Sequence, residues 1–516
     1  MAAGVLRVSE GSYKWWVLVT VVFGAFVSIL DGTIVNTALP KIQQVFGSDL
    51  HEASYVATAY TLAAGITVPA SGYLANRFGI KRIYLASLFF FTAGSALCGL
   101  APSMILLIAF RVLQGIGGAA LFPLSFALLF ATFPVEERGR ANGVFGIPVL
   151  VAPALGPTIG GYLSEYVDWR WIFYVNVPIG VLGVVLGYAV LREAPPRPGV
   201  RFDPGGFVLA AAGLGLLLYG LSNLAYDGWA NVGAVSGPIV ASLIFLAAFV
   251  PYELRRDQPL LDLRLYQRRN YIVGALISWL STVALFGPAF LLPQFLQTLR
   301  GQDPFGAGQL LFWQGVGAVV GTILSGQLYN RVGPRALIVV GGVIGIVTSY
   351  ALASWSTLTS AITMLPFLLL PRGVGLPLVF QPTNTSALDG ITGRALPGAT
   401  TLNVVARNVV ASLSIAGLAN LVQNRTGVHL ADLVRSAAGH AASLGGGAGG
   451  APARRLILEA RAEAFHDVFI ATTLLSIPVL LLAPLLLPPG QGKPEGEPAR
   501  GTDAPESATM GQARQA

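Results

Sequence analysis

The chain of 516 residues has one cysteine, Cys98, and four histidines. A lone cysteine excludes an intramolecular disulfide and a thiolate metal cluster. Charge is scarce as well: Asp, Glu, Lys and Arg make up 11% of the residues against 54% hydrophobic, and the mean hydropathy is +0.67. That balance excludes an ordinary soluble domain and belongs to a membrane protein. Also missing, at any plausible depth, are a paired carboxylate, a metal cluster, a Ser/His/Asp constellation and a phosphate loop, which argues against an enzyme. The glycine pattern GVGAVVG at 315–321 lies within an apolar run with no strand before it, so it is not a nucleotide fingerprint. No ATP-binding element appears. An ion gradient is therefore the expected energy source, and no cofactor or metal is expected.

What the chain does have is apolar runs long enough to cross a bilayer, which takes roughly 20 residues each. They fall near 15–38, 53–74, 83–101, 104–130, 142–163, 171–191, 205–223, 232–251, 271–296, 306–328, 336–354, 358–381, 397–421 and 466–487. The pattern predicts an all-α membrane protein of about fourteen spans, beginning with an uncleaved first helix. The net charge of +8 reports topology rather than nucleic acid, because arginines crowd alternate short loops. Arg77, Lys81, Arg82, Arg138, Arg140, Arg192, Arg197, Arg201, Arg255, Arg256, Arg264, Arg268, Arg269, Arg331, Arg335 and Arg394 mark one side. Only Lys41, Arg170 and Arg300 sit in the short loops of the other. The rule places both ends in the cytoplasm. The long loop near 422–465 is expected outside, and its GHAASLGGGAGGAPARR reads as flexible; the tail 489–516 reads as disordered.

The loop SGYLANRFGIKR at 71–82 returns as SGQLYNRVGPR at 325–335, an offset of 254 residues, and GRA at 139–141 returns at 393–395 in the same register. Two parallel halves are implied, 15–191 and 271–488, as in transporters built from similar halves. Residues 192–270, with the spans near 205–251, have no counterpart, and 1–14 form a short cytoplasmic start.

At these motifs the chain resembles the major facilitator superfamily, and within it the fourteen-span drug:proton antiporters. ILDGTIVNTALP (29–40) resembles the family's first-helix motif, and SYVATAYTL its second-helix entry, with Tyr55 where Trp is usual. GYLANRFGIKR resembles the loop motif, IAFRVLQGIGGAA (108–120) the fourth-helix motif and APALGPTIGG (152–161) the fifth-helix antiporter motif. The resemblance implies a major facilitator fold with two extra central helices, and multidrug efflux by proton antiport with alternating access. It also implies gating roles for Gly72, Asn76, Arg77, Gly79 and Lys81, for their copies Asn330 and Arg331, and for Pro153, Gly156, Pro157, Gly160 and Gly161. Those small residues read as a smooth face on which one half rocks against the other. Both loop copies carry Asn where Asp is usual, so a charge latch is weaker or built differently.

Asp31 is the only acidic residue well inside a predicted span, and Arg111 lies at matching depth, each about 12–14 Å from the outer edge. An ionisable group at that depth faces a cavity or a partner. We expect the two to pair, with Gln114 one turn from Arg111, and Asp31 to be the proton-linked site; a permanent structural ion pair is the alternative. Arg372 and Arg407 are also deep. They either face a cavity that attracts negative or electron-rich groups, or bond to carbonyls freed by Pro371 and Pro377 or to Asn403. His51 and Glu52 read as a wet helix end, and Trp15, Trp16, Trp169 and Trp171 as interfacial belts. The expected partners are an amphiphilic small-molecule substrate, protons and the lipid bilayer, with no nucleic acid and a monomer as the assembly. A specific metabolite, siderophore, amino acid or lipid as cargo is the second reading, and a duplicated membrane enzyme or receptor the third.

Overall fold

The computed structural model describes residues 10–48, 50–193, 201–357, 361–391, 395–444 and 450–486. Arg197, Gly393 and Arg394 of the second GRA, residues 445–449 and the tail lie outside these residues. The chain is built from helices. The first bundle comprises α1 (Glu10–Phe46), α2 (Leu50–Phe78), α3 (Ile80–Leu100), α4 (Met104–Gly118), α5 (Leu121–Thr132), α6 (Val135–Tyr162), α7 (Trp171–Tyr174) and α8 (Asn176–Val190). Two further helices, α9 (Pro204–Asp227) and α10 (Gly237–Leu254), precede the second bundle. That bundle holds α11 (Arg269–Thr298), α12 (Pro304–Trp355), α13 (Leu365–Ala387), α14 (Leu396–Leu444) and α15 (Gly450–Leu482). Among the described residues, ten helical segments are long and apolar enough to cross a membrane. Large apolar side chains such as Phe89, Ile105, Phe367 and Leu481 stay exposed on them, as lipid requires.

Local sequence sets the helix ends. Asp203-Pro204 and Asp303-Pro304 each place an acceptor at the N-cap and a proline at the first helical position; Asp203 Oδ1 and Asp303 Oδ1 accept from Gly206 N and Gly306 N at 3.1 and 3.0 Å. The repeated loop turns on a glycine in both copies. Gly79 has φ 99° and Gly333 φ 79°, where a Cβ is strained, and Gly333 bends the 52-residue α12 into two segments. The following base does the same work in each half. Lys81 Nζ donates to the carbonyls of Tyr188 and Leu191 at the end of α8, and Arg335 Nε to that of Leu486 just after α15.

α6 and α12 lie side by side along the seam, where Gly143 and Gly326 bring the backbones together. α9 packs on α2 and α14, and α10 on α9. On the arginine-rich side one hydrophobic core runs from the first bundle (Phe126, Phe130, Phe145) into α14 (Leu396, Leu402, Val405). On the opposite side the core divides, with Ile34, Met104 and Phe173 in one cluster and Phe295, Trp355 and Phe469 in another. The bundles are thus joined on the basic side.

Two expectations are corrected here. Most of 422–465 is not loop but continuation of α14 and α15, held by His429, whose Nε2 lies 2.8 Å from Asp467 and Nδ1 3.1 Å from Glu463. Trp169 is buried against Phe46 and Phe173 rather than interfacial.

Candidate functional site

Four helices, α2, α3, α4 and α8, supply the groups around Asp31 of α1. Arg111 on α4 donates through Nη1 to Asp31 Oδ2 at 2.6 Å and to Gln114 Oε1 at 2.7 Å. Gln114 Nε2 returns to Asp31 Oδ1 at 2.9 Å. Asn176, the first residue of α8, donates Nδ2 to the same Oδ1 at 2.9 Å and lies 3.2 Å from Ser95 Oγ of α3. Arg111 Nε donates to the Val56 carbonyl of α2 at 2.9 Å, and its guanidinium rests 4.4 Å from the Tyr60 ring centroid. Asp31 is 0% exposed and Arg111 1%, so the pair is dry. Donors meet both carboxylate oxygens, as a buried charge requires. The structure therefore brings together three predicted residues, Asp31, Arg111 and Gln114. Sequence reasoning missed Asn176 and Ser95; the signal for Asn176 was an amide set in the apolar run YVNVPIG.

Arg372 is held inside the second bundle. It donates through Nη1 to Ser349 Oγ on α12 and through Nη2 to the Ala284 carbonyl on α11 at 2.7 Å. Ala284 stands four residues before Pro288, whose ring nitrogen has no hydrogen for it. A proline-freed carbonyl is thus the partner, but from another helix than Pro371 and Pro377. Arg407 behaves differently. Its guanidinium lies 4.6 Å from the Phe122 ring centroid and lines a small pocket between the bundles with Phe126, Asn384, Thr400 and Asn403. Asn403 Nδ2 donates to Asn384 Oδ1 at 3.2 Å rather than answering either arginine.

The gating candidates separate by what they face. Gly72 lies against Gly398 and Thr401 of α14, beside a 3.1 Å contact of Ser71 Oγ with Thr401 Oγ1. Asn330 Nδ2 donates to the Glu136 carbonyl at 2.6 Å, and Asn142 Nδ2 to the Gln381 carbonyl and Thr385 Oγ1, both at 3.1 Å. These contacts across the seam are made by amides and hydroxyls, beside the electrostatic attraction between Arg138 of α6 and Asp389 just past α13, and a carboxylate at 330 could not donate to that carbonyl. Asn76 and Arg77 are half-buried on the last turn of α2, and Arg331 is exposed. Gly156 and Gly160 of the fifth-helix motif pack on α1 rather than on the other bundle. A Cβ at Gly156 or Gly160 would stand 2.1 and 2.2 Å from Thr33 and Thr37 Oγ1 of α1, the helix of Asp31. Gly161 is buried on α6, while the side chains of Pro153 and Pro157 on that helix lie outside the described set. The smooth face across the seam is instead that of Gly139, Gly143 and Gly146.

Residues 21–415 match the model of the Major Facilitator Superfamily. The chain is 31% identical over 435 residues to the Multidrug export protein EmrB of Escherichia coli K12, covering 83% of this chain and 84% of that protein. It is 33% identical over 398 residues to the Multidrug resistance protein B homolog of Mycobacterium tuberculosis H37Rv, covering 77% and 74%. Among solved structures, the human organic anion transporter MFSD10 (TETRAN) superposes with a TM-score of 0.59 at 14% identity, over 90% of this chain and 99% of that one, a likeness of fold. With that fold, those relatives and a helical membrane bundle around a buried ion pair, the chain is a transporter of the Major Facilitator Superfamily and not an enzyme.

Proposed function

We propose that this transporter exports amphiphilic small molecules across the cytoplasmic membrane by proton antiport with alternating access, through fourteen spans with both termini in the cytoplasm. The observation that carries the reading is the dry pair of Asp31 and Arg111. Arg111 keeps its charge at any working pH. A proton arriving on Asp31 removes the charge that balances it, and an unbalanced guanidinium in low dielectric favours any arrangement that returns it to water. Gly156 and Gly160 seat α6 on α1 close to Asp31, so a shift of α1 reaches the helix that lines the seam. The core that joins the bundles on the basic side and divides on the opposite side fits one end of such a cycle. The multidrug export names of the relatives support an amphiphilic cargo.

The test is proton release or uptake by the purified protein in detergent, wild type against Asp31→Asn, on adding cationic, neutral and anionic amphiphiles at several pH values. Binding displaces a proton from the wild type and not from the variant. Compounds that bind both proteins with no proton exchanged would make Asp31 and Arg111 a structural pair.

A further inference from the structure

Three arginines lie deep in the bundles, and two are answered where they stand. Arg111 has Asp31; Arg372 has the Ser349 hydroxyl and a proline-freed carbonyl. Around Arg407 the pocket offers only neutral groups: the amides of Asn384 and Asn403, the Thr400 hydroxyl and the faces of Phe122 and Phe126. No carboxylate is among the lining residues. Arg407 lies 11 residues into α14 and Phe122 10 residues before the end of α5, so both sit about 15 Å from the basic side, near mid-membrane. The two bundles contribute to it jointly, α5 from one and α13 and α14 from the other. Its free volume of about 10 Å³ has room for about one water, so cargo enters only when the bundles part.

A fixed cation beside neutral amides selects for negative charge, because guanidinium does not deprotonate and Arg407, though only half-buried, stands at a depth where a charge without a counter-charge is costly. The aromatic group of Phe122, Phe126 and Phe145, with centroids 4.9–6.0 Å apart, offers an apolar shelf next to it. We propose that Arg407 determines the charge class of the cargo: an amphiphile with a flat apolar body on Phe122 and Phe126 and one anionic group, such as a carboxylate, on the guanidinium. The proposal rests on the exporter reading and adds the substrate class to it.

The experiment uses the full chain in proteoliposomes and three matched probes, a dansyl fluorophore bearing a carboxylate, a neutral amide or a quaternary ammonium. Wild type binds and moves the carboxylate probe about tenfold or more better than the neutral one, the scale of a charge-assisted hydrogen bond. Arg407→Gln erases that preference, so that within the variant the carboxylate and neutral probes are handled alike to within about twofold. Arg407→Lys, which keeps the charge but not the planar stack, retains part of it and serves should the Gln variant fail to fold. Equal handling of all three probes by wild type, or an ammonium preference that survives Arg407→Gln, overturns the charge assignment and leaves the exporter standing. Failure to move any probe under a proton gradient overturns both.

Discussion

Replacing Asp31 and Arg111 singly and together tests the central pair through a double-mutant cycle. Arg111→Gln leaves the buried carboxylate with only the Gln114 and Asn176 amides. Stranding one member of a buried pair costs about 3–5 kcal/mol. Asp31→Asn is milder, because Arg111 keeps the Val56 carbonyl, Gln114 Oε1 and the Tyr60 face; loss of one charged hydrogen bond is worth about 1.5–3 kcal/mol. At about 2 °C per kcal/mol for a large chain, Tm falls by about 6–10 °C and about 3–6 °C respectively. The double variant strands no charge, so its loss is smaller than the sum of the singles by about 2–3 kcal/mol. Thermal melts of purified protein followed by tryptophan fluorescence read all four corners; Trp169, buried beside Phe173 next to the network, is a local reporter. If the single losses add to within about 0.5 kcal/mol, the two residues do not interact and the reasoning fails.

Asn330→Ala removes the 2.6 Å bond to the Glu136 carbonyl across the seam. It weakens the basic-side latch by about 1 kcal/mol, about fivefold in the ratio of joined to parted bundles. Spin labels placed across that side should gain a longer-distance population, and an unchanged distance distribution contradicts the latch. At the end of α8, burial raises the Glu193 carboxyl above the ordinary glutamate value of 4.5, against the pull of Arg82 and Lys81. With the folded value above the unfolded one, its contribution to stability is complete below that value and lost as pH rises through the raised one. Tm of wild type should therefore decline relative to Glu193→Gln as pH rises from 4.5 toward neutral, and a constant difference over that range refutes the assignment.

The ion pair was legible because an acid and a base stood at equal depth in spans with little other charge, and depth along a helix follows directly from residue count. Azimuth does not. Gly156 and Gly160 were identified as small, yet which neighbour they meet depends on how α6 is rotated, and they meet α1. Arg372 shows the same limit: a freed carbonyl was expected, but that Pro288 of α11 would lie opposite Ser349 is a property of helix packing. The repeat was legible at single-residue precision, since Lys81 and Arg335 cap equivalent helix ends. The helical extension of α14 and α15 beyond their apolar stretches was not, because the glycine-rich composition outweighed the pairing of His429 with Asp467 and Glu463, 34–38 residues away.

Those two caps make each bundle a closed hoop, with the start of its third membrane helix tied to the end of its sixth. The hoops carry different loads. The first is fastened at Leu191, where the chain departs toward α9 and α10, so a tug on those two helices arrives at the knot beside Gly79. The second is fastened at Leu486, beyond the last membrane helix, with no such pair of helices threaded onward among the described residues. Motion of α9 and α10 thereby pulls on the first hoop through its knot, whereas the second hoop feels it through the face that α9 lays on α14, so the two extra helices act on the two bundles by different couplings.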